Sequence, residues 1–185
     1  MGNNEGRRSD WWSRSRGLPK AVYDSWKSSL AAQPGRPARI LAWGTVQAGF
    51  CVASPAAFSY GNDDAWHHIG WHEIERGSWN AELHRLSWVP YAAAGQAAAH
   101  RSLELTDPGR MPEVFRERIS ATIAVEKFVP LSGERGVTIT ARRDLGGGAV
   151  SWHGTLTRGL SWQTAGVPAA VDQAMEEVRA EYDLS

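Results

Sequence analysis

The 185-residue sequence predicts an α+β protein: a small antiparallel β-barrel capped by a helix, followed by a β-hairpin and a C-terminal helix packed on the barrel. Three observations lead there. Between residues 39 and 106, six short segments rich in β-branched and aromatic residues are separated by turn signals and by no helical pattern, as in an antiparallel meander curled on itself. Helical periodicity occurs before and after that stretch, each time with a proline near the first turn. Ten tryptophans add apolar volume to a modest hydrophobic share of 42%. One buried tryptophan removes on the order of 200 Å² from water, about 5 kcal/mol as an upper bound. A chain this long buries roughly 70% of its unfolded surface and needs no disulfide or metal staple.

Residues 1–17 (MGNNEGRRSDWWSRSRG) read as a flexible basic arm whose apolar anchor is Trp11 and Trp12. From Pro19 to Leu30, Val22, Trp26 and Leu30 recur every four residues, the stripe of a short amphipathic helix that QPGRP (33–37) ends. The six strands are RILAWGTV (39–46), FCVAS (50–54), AAFSY (56–60), WHHIGWHEIERGSW (66–79), LHRLSWV (83–89) and HRSLELT (100–106). Gly77 suggests a bulge in the fourth, and Asn80–Glu82 the hairpin turn after it. A helix is expected over 111–126, with Pro112 and Glu113 in its first turn and Val114, Phe115, Ile119 and Ile123 on its apolar face. VPLSGERG (129–136) reads as a loop. GVTITARR (136–143) and AVSWHGTL (149–156) form a hairpin around Gly146, Gly147 and Gly148, and Val171, Met175, Val178 and Tyr182 stripe the last helix. The expected organisation is the arm at 1–17, the barrel with its capping helix at 18–127, and the hairpin with the C-terminal helix at 128–185.

Lys plus Arg and Asp plus Glu both total 20, so net charge points to neither nucleic acid nor membrane. The distribution is polar, however. The first twenty residues hold five cations against two carboxylates, and residues 168–185 hold five carboxylates against one cation. A single cysteine, Cys51, forms no internal disulfide, which suits a reducing cytoplasm. No apolar run approaches the roughly 18 residues that a membrane helix needs.

ILAWGTV, GFCVAS, WHEIERGSWN and LHRLSW in that order, with RERISATIAVEKFVPL, RGVTITARRD and the Ser151-Trp152 strand before an acidic helix, resemble small actinobacterial proteins. Their barrel is similar to a bacterial pleckstrin-homology (PH) or GRAM-like domain. The resemblance covers most of residues 18–183 and implies a PH-like fold without implying a chemistry. This chain departs from the pattern in its longer arm and in its His-rich 66–72 segment.

Candidate chemistry is sparse. His67, His68 and His72 invite a metal reading, which would make a small metal-dependent enzyme. On a continuous strand, His68 and His72 share a face about 13 Å apart, too far for one ion unless Gly70 folds the chain. The favoured reading packs Trp66, Ile69, Trp71 and Ile74 on neighbours and leaves the imidazoles at the rim. Cys51, inside FCVAS, reads as a buried inert thiol. Ser151 and His153 have the residue types of a dyad without its expected geometry, and a strand rather than a helix follows the three glycines, unlike a phosphate loop. Arg142 and Arg143 with the arm suggest single-stranded nucleic acid, or else a solvated strand end. The arm itself carries the candidate partner-binding residues, Arg7, Arg8, Trp11, Trp12, Arg14 and Arg16, because Trp and Arg anchor interfaces. The expected function is a non-enzymatic cytoplasmic adaptor for a protein or peptide, with no cofactor. The alternatives are nucleic-acid or anionic-surface binding through the arm and the metal-dependent enzyme.

Overall fold

The computed structural model describes residues 17–33, 36–62, 64–93, 96 and 98–182. Helix α1 (Lys20–Ala31) buries Val22, Trp26 and Leu30 at the expected spacing. Seven strands follow: β1 (Ala42–Val46), β2 (Gly49–Ala53), β3 (Ala57–Gly61), β4 (Trp66–Gly70), β5 (Ile74–Asn80), β6 (Arg85–Pro90) and β7 (Arg101–Asp107). They form one antiparallel sheet in the order β4-β3-β2-β1-β7-β6-β5, curled into a half-barrel. Helix α1 lies on its outer face, where Leu18, Val22, Trp26 and Leu30 pack with Ile40 and Val52. Because β2 is covered on both faces, Cys51, Val52 and Ala53 are all buried, which accounts for an apolar run without alternation.

The expected fourth strand is in fact two. A 3₁₀ turn at Trp71–Glu73 interrupts it. The Gly70 N–H donates to the Glu73 carboxylate, and the Trp71 indole N–H donates to the Ser54 carbonyl at 2.9 Å. The turn takes the chain from one end of the sheet to the other, so β4 and β5 are the two terminal strands and do not pair. The barrel is therefore open. Its mouth is filled by side chains and by helix α2 (Met111–Ala121), which buries Met111, Val114, Phe115 and Ile119. Phe58 is the hub of this core, with ring centroids 5.0 Å from Phe115, 5.4 Å from Trp88 and 5.8 Å from Trp71.

The capping helix ends at Ala121, not at residue 126, and Ile123–Ser132 is a strand, β8, where the helix tail and a loop were expected. Ile123 is accordingly 39% exposed instead of continuing the helix's apolar face. From Val125 onward the side chains alternate, with Val125, Val129 and Leu131 turned to a second core. β8 pairs with β9 (Arg135–Arg143), and β9 pairs with β10 (Val150–Leu156), giving a separate sheet in the order β10-β9-β8. Helix α3 (Val167–Glu181) covers one face of it with Val167, Val171, Ala174 and Val178. Tyr182, expected on the same stripe, lies past the helix end and is 38% exposed. Among the described residues, no helix is long and apolar enough to cross a membrane.

Arg142 joins the two sheets. The sequence suggests a nucleic-acid contact or a solvated strand end there, but the side chain is buried and donates only to neutral acceptors. These are the Tyr91 hydroxyl at 3.1 Å, the Ile119 carbonyl at 3.0 Å, Thr122 Oγ1 at 2.9 Å and the Glu75 carbonyl at 2.9 Å. Three segments of the first unit thus converge through four acceptors on one guanidinium of the second, a task suited to its planar fork of five donors.

Candidate functional site

The partner-binding residues expected in the arm, Arg7, Arg8, Trp11, Trp12, Arg14 and Arg16, lie outside the described residues. The His-rich segment is well defined. His67 is exposed and stacks on Tyr60 with ring centroids 5.2 Å apart. His68 is not at the rim: it bridges Ser59 Oγ at 2.8 Å and Ser29 Oγ at 2.9 Å, fastening α1 to the sheet. Beside it, the Trp66 indole N–H donates to Ser25 Oγ at 3.1 Å. His72, past the turn, has its Nδ1 3.5 Å from Asp144 Oδ1. The chain does fold after Gly70, which carries His72 away, and strand alternation sends His67 and His68 to opposite faces, so the three imidazoles have three different neighbourhoods. Among the described residues, no three His, Cys, Asp or Glu side chains converge as a metal site would require.

Cys51 is buried, and desolvation pushes its thiol up to about 12, far from the thiolate that nucleophilic chemistry needs. Ser151 and His153 do meet, contrary to expectation: His153 Nε2 is 3.0 Å from Ser151 Oγ. Two residues apart on a strand, they share a face. Burial, then the Arg142 and His72 charges, lower the His153 pKa to about 4. No carboxylate orients its other ring nitrogen among the described residues. So weak a base is poorly matched to serine activation at neutral pH.

The arrangement with the most capacity for recognition is a cleft of about 410 Å³ along the outer edge of β10. β10 is a terminal strand, so alternate N–H and C=O groups on its outer side have no strand partner among the described residues. Five consecutive residues, Trp152 to Leu156, line the cleft, which therefore follows the strand backbone and reaches both of its faces. On the α3 side stand Trp152, Trp162 and Met175, with the Arg179 guanidinium carbon 5.7 Å from the Trp152 ring centre. Gly154 packs closely on this side, where a Cβ would come within 3.2 Å of both Val137 and Val171. On the other side Tyr91 stacks flat on His153, centroids 3.6 Å apart and planes 12° apart, and Thr155 donates to the Glu75 carboxylate at 3.3 Å. Among the described residues, the cleft carries two carboxylates, Glu75 and Asp172, one on each side of the strand, and no Lys or Arg lines it.

A second cleft of about 290 Å³ lies between β5, another terminal strand, and α2. Only Gly77, Ser78 and Trp79 of the strand line it, and a bulge near Glu75 breaks the register just before them.

The sequence reading missed the β10 cleft. Trp152, Trp162 and Tyr91 are single aromatics in three segments, and nothing in their spacing shows that they face one strand edge. The one available signal was an aromatic- and glycine-bearing strand, AVSWHGTL, just before an acidic helix. Compared with protein-family models, with curated proteins and with solved structures, the chain finds no match.

Proposed function

We propose that the protein is a non-catalytic cytoplasmic adaptor that binds a peptide segment of a partner protein, taken up as an added strand on β10. The observation that carries this is the cleft running along five consecutive residues of an unpaired sheet edge. Strand addition draws affinity from main-chain hydrogen bonds and specificity from pockets that receive alternate side chains, and both parts are on hand here. Further support is negative in character: His68 and His153, which both meet serine hydroxyls, are weak bases, and the one thiol is buried and held protonated. The lone buried cysteine also suits a reducing compartment. For the first unit, the strand order β4-β3-β2-β1-β7-β6-β5 with a helix after β7 supports a PH-like reading. Nucleic-acid binding at Arg142 and Arg143 has only one accessible guanidinium to work with, since Arg142 is buried.

Selection of random ten-residue peptides on the intact protein, followed by hydrogen exchange, tests this. Selected peptides should slow exchange of the amides from Trp152 to Leu156. Methylating alternate backbone nitrogens of a selected peptide should abolish binding in one phase of alternation and spare it in the other, because only one edge of a strand pairs. Protection confined to β5 and α2, or failure to select any peptide, would overturn the reading.

A further inference from the structure

We propose that the segment taken up along β10 is basic, with two Lys or Arg residues an odd number of positions apart. The inference rests on strand addition at β10 and adds the chemistry of the partner. Glu75 reaches the strand on the face that carries Thr155, and Asp172 stands on the opposite face, on the helix whose Val171 and Met175 meet Gly154. Successive side chains of an added strand point to opposite faces. One cation for each carboxylate therefore requires positions of opposite parity, and the α3 side also offers Trp152, Trp162 and Met175 to apolar residues that share parity with its cation. Nearby cations offset this charge only in part. Arg179 lies over Trp152 and is 3.8 Å from Glu176, and Arg142 is buried behind Tyr91. His153 is neutral at physiological pH. Beyond the cleft, Glu177 adds a further carboxylate to α3 and favours the approach of a basic chain, while Glu176 and Glu181 pair with Arg179 and Lys127.

The peptide selection decides this as well. Expected are peptides enriched in Lys or Arg at odd separations, with apolar residues at positions sharing parity with one cation. On the exposed helix position, Asp172→Lys should weaken such peptides about tenfold at low salt and by less at high salt, and Glu75→Gln should weaken them severalfold without a salt effect of that size. If acidic or uncharged peptides are selected and still protect β10, the basic partner is overturned and strand addition stands. If no peptide protects β10, both fall.

Discussion

His68 and His153 occupy different units yet share one electrostatic condition. Burial is the main cause in both, supplemented by Arg36 and His67 around His68 and by Arg142 and His72 around His153, and each pKa is lowered from 6.5 to about 4. In the unfolded chain both imidazoles take a proton near pH 6.5. Between about pH 6.5 and 4 the unfolded state therefore binds more protons than the folded one, and stability falls as pH falls through that window. Above about 6.5 the contribution is fully present. The urea midpoint should decline from pH 7 toward 4.5, and replacing both histidines by glutamine should flatten the decline. An undiminished slope in the double variant would place the responsible groups elsewhere. None of this is legible from three histidines in a row of seven residues. Positions in WHHIGWH end up stacked on a tyrosine, clamped between two serines and beside an aspartate, because His67 and His68 take opposite faces of β4 and the turn after Gly70 carries His72 away.

At the scale of elements, the sequence was most misleading where two periods overlap. Ile119 and Ile123 are spaced for a helix, while Val125, Val129 and Leu131 are spaced for a strand. The strand prevails from Ile123 because β9 has a side to pair, and pairing satisfies a run of backbone groups that an exposed last helical turn would leave to water. Thr122 marks the change, its hydroxyl donating to the Ile119 carbonyl at 2.6 Å. The placement of α2 depends equally on a residue outside it. A Cβ on Gly77 would come within 2.4 Å of Phe115 and 2.9 Å of Ile119. Phe115 cannot yield, being wedged against Phe58, Trp71 and Trp88. Gly77→Ala should cost about 1–3 kcal/mol by overpacking and lower the melting temperature by about 2–10 °C. A melting temperature equal to that of the parent would mean that α2 has room to shift.

Across the whole molecule, the two units are held in register by contacts that cross between them. Arg142 supplies four hydrogen bonds, Thr155 reaches Glu75, and Leu145 packs on the first core. A buried guanidinium costs desolvation that neutral acceptors only partly offset, so its value lies in fixing one arrangement of the sheets. Arg142→Met should destabilise by about 1–3 kcal/mol, leaving the Glu75 carbonyl short of a donor while the Ile119 carbonyl keeps Thr122. Hydrogen exchange should then show the β8–β10 sheet opening independently of the half-barrel. Arg142→Lys should not restore coupling, since a point charge with three donors cannot make four hydrogen bonds spread over three segments. The candidate cleft is a product of this docking: Tyr91 and Glu75 come from the first unit, β10 and α3 from the second.

By itself the sequence determined the class of the protein, the amphipathic helix at its start, the meander, the 136–156 hairpin and the buried cysteine. Those features follow from local period, turn residues and apolar content, which neighbouring positions carry together. Only the tertiary structure decided that the meander stays open, that residues 123–132 become a third strand of a separate sheet, and that Arg142 lies inside. It alone decided that aromatics from three distant segments meet two carboxylates along β10. Each of these depends on which surfaces find a partner, a property of pairs of segments that no single stretch of sequence encodes.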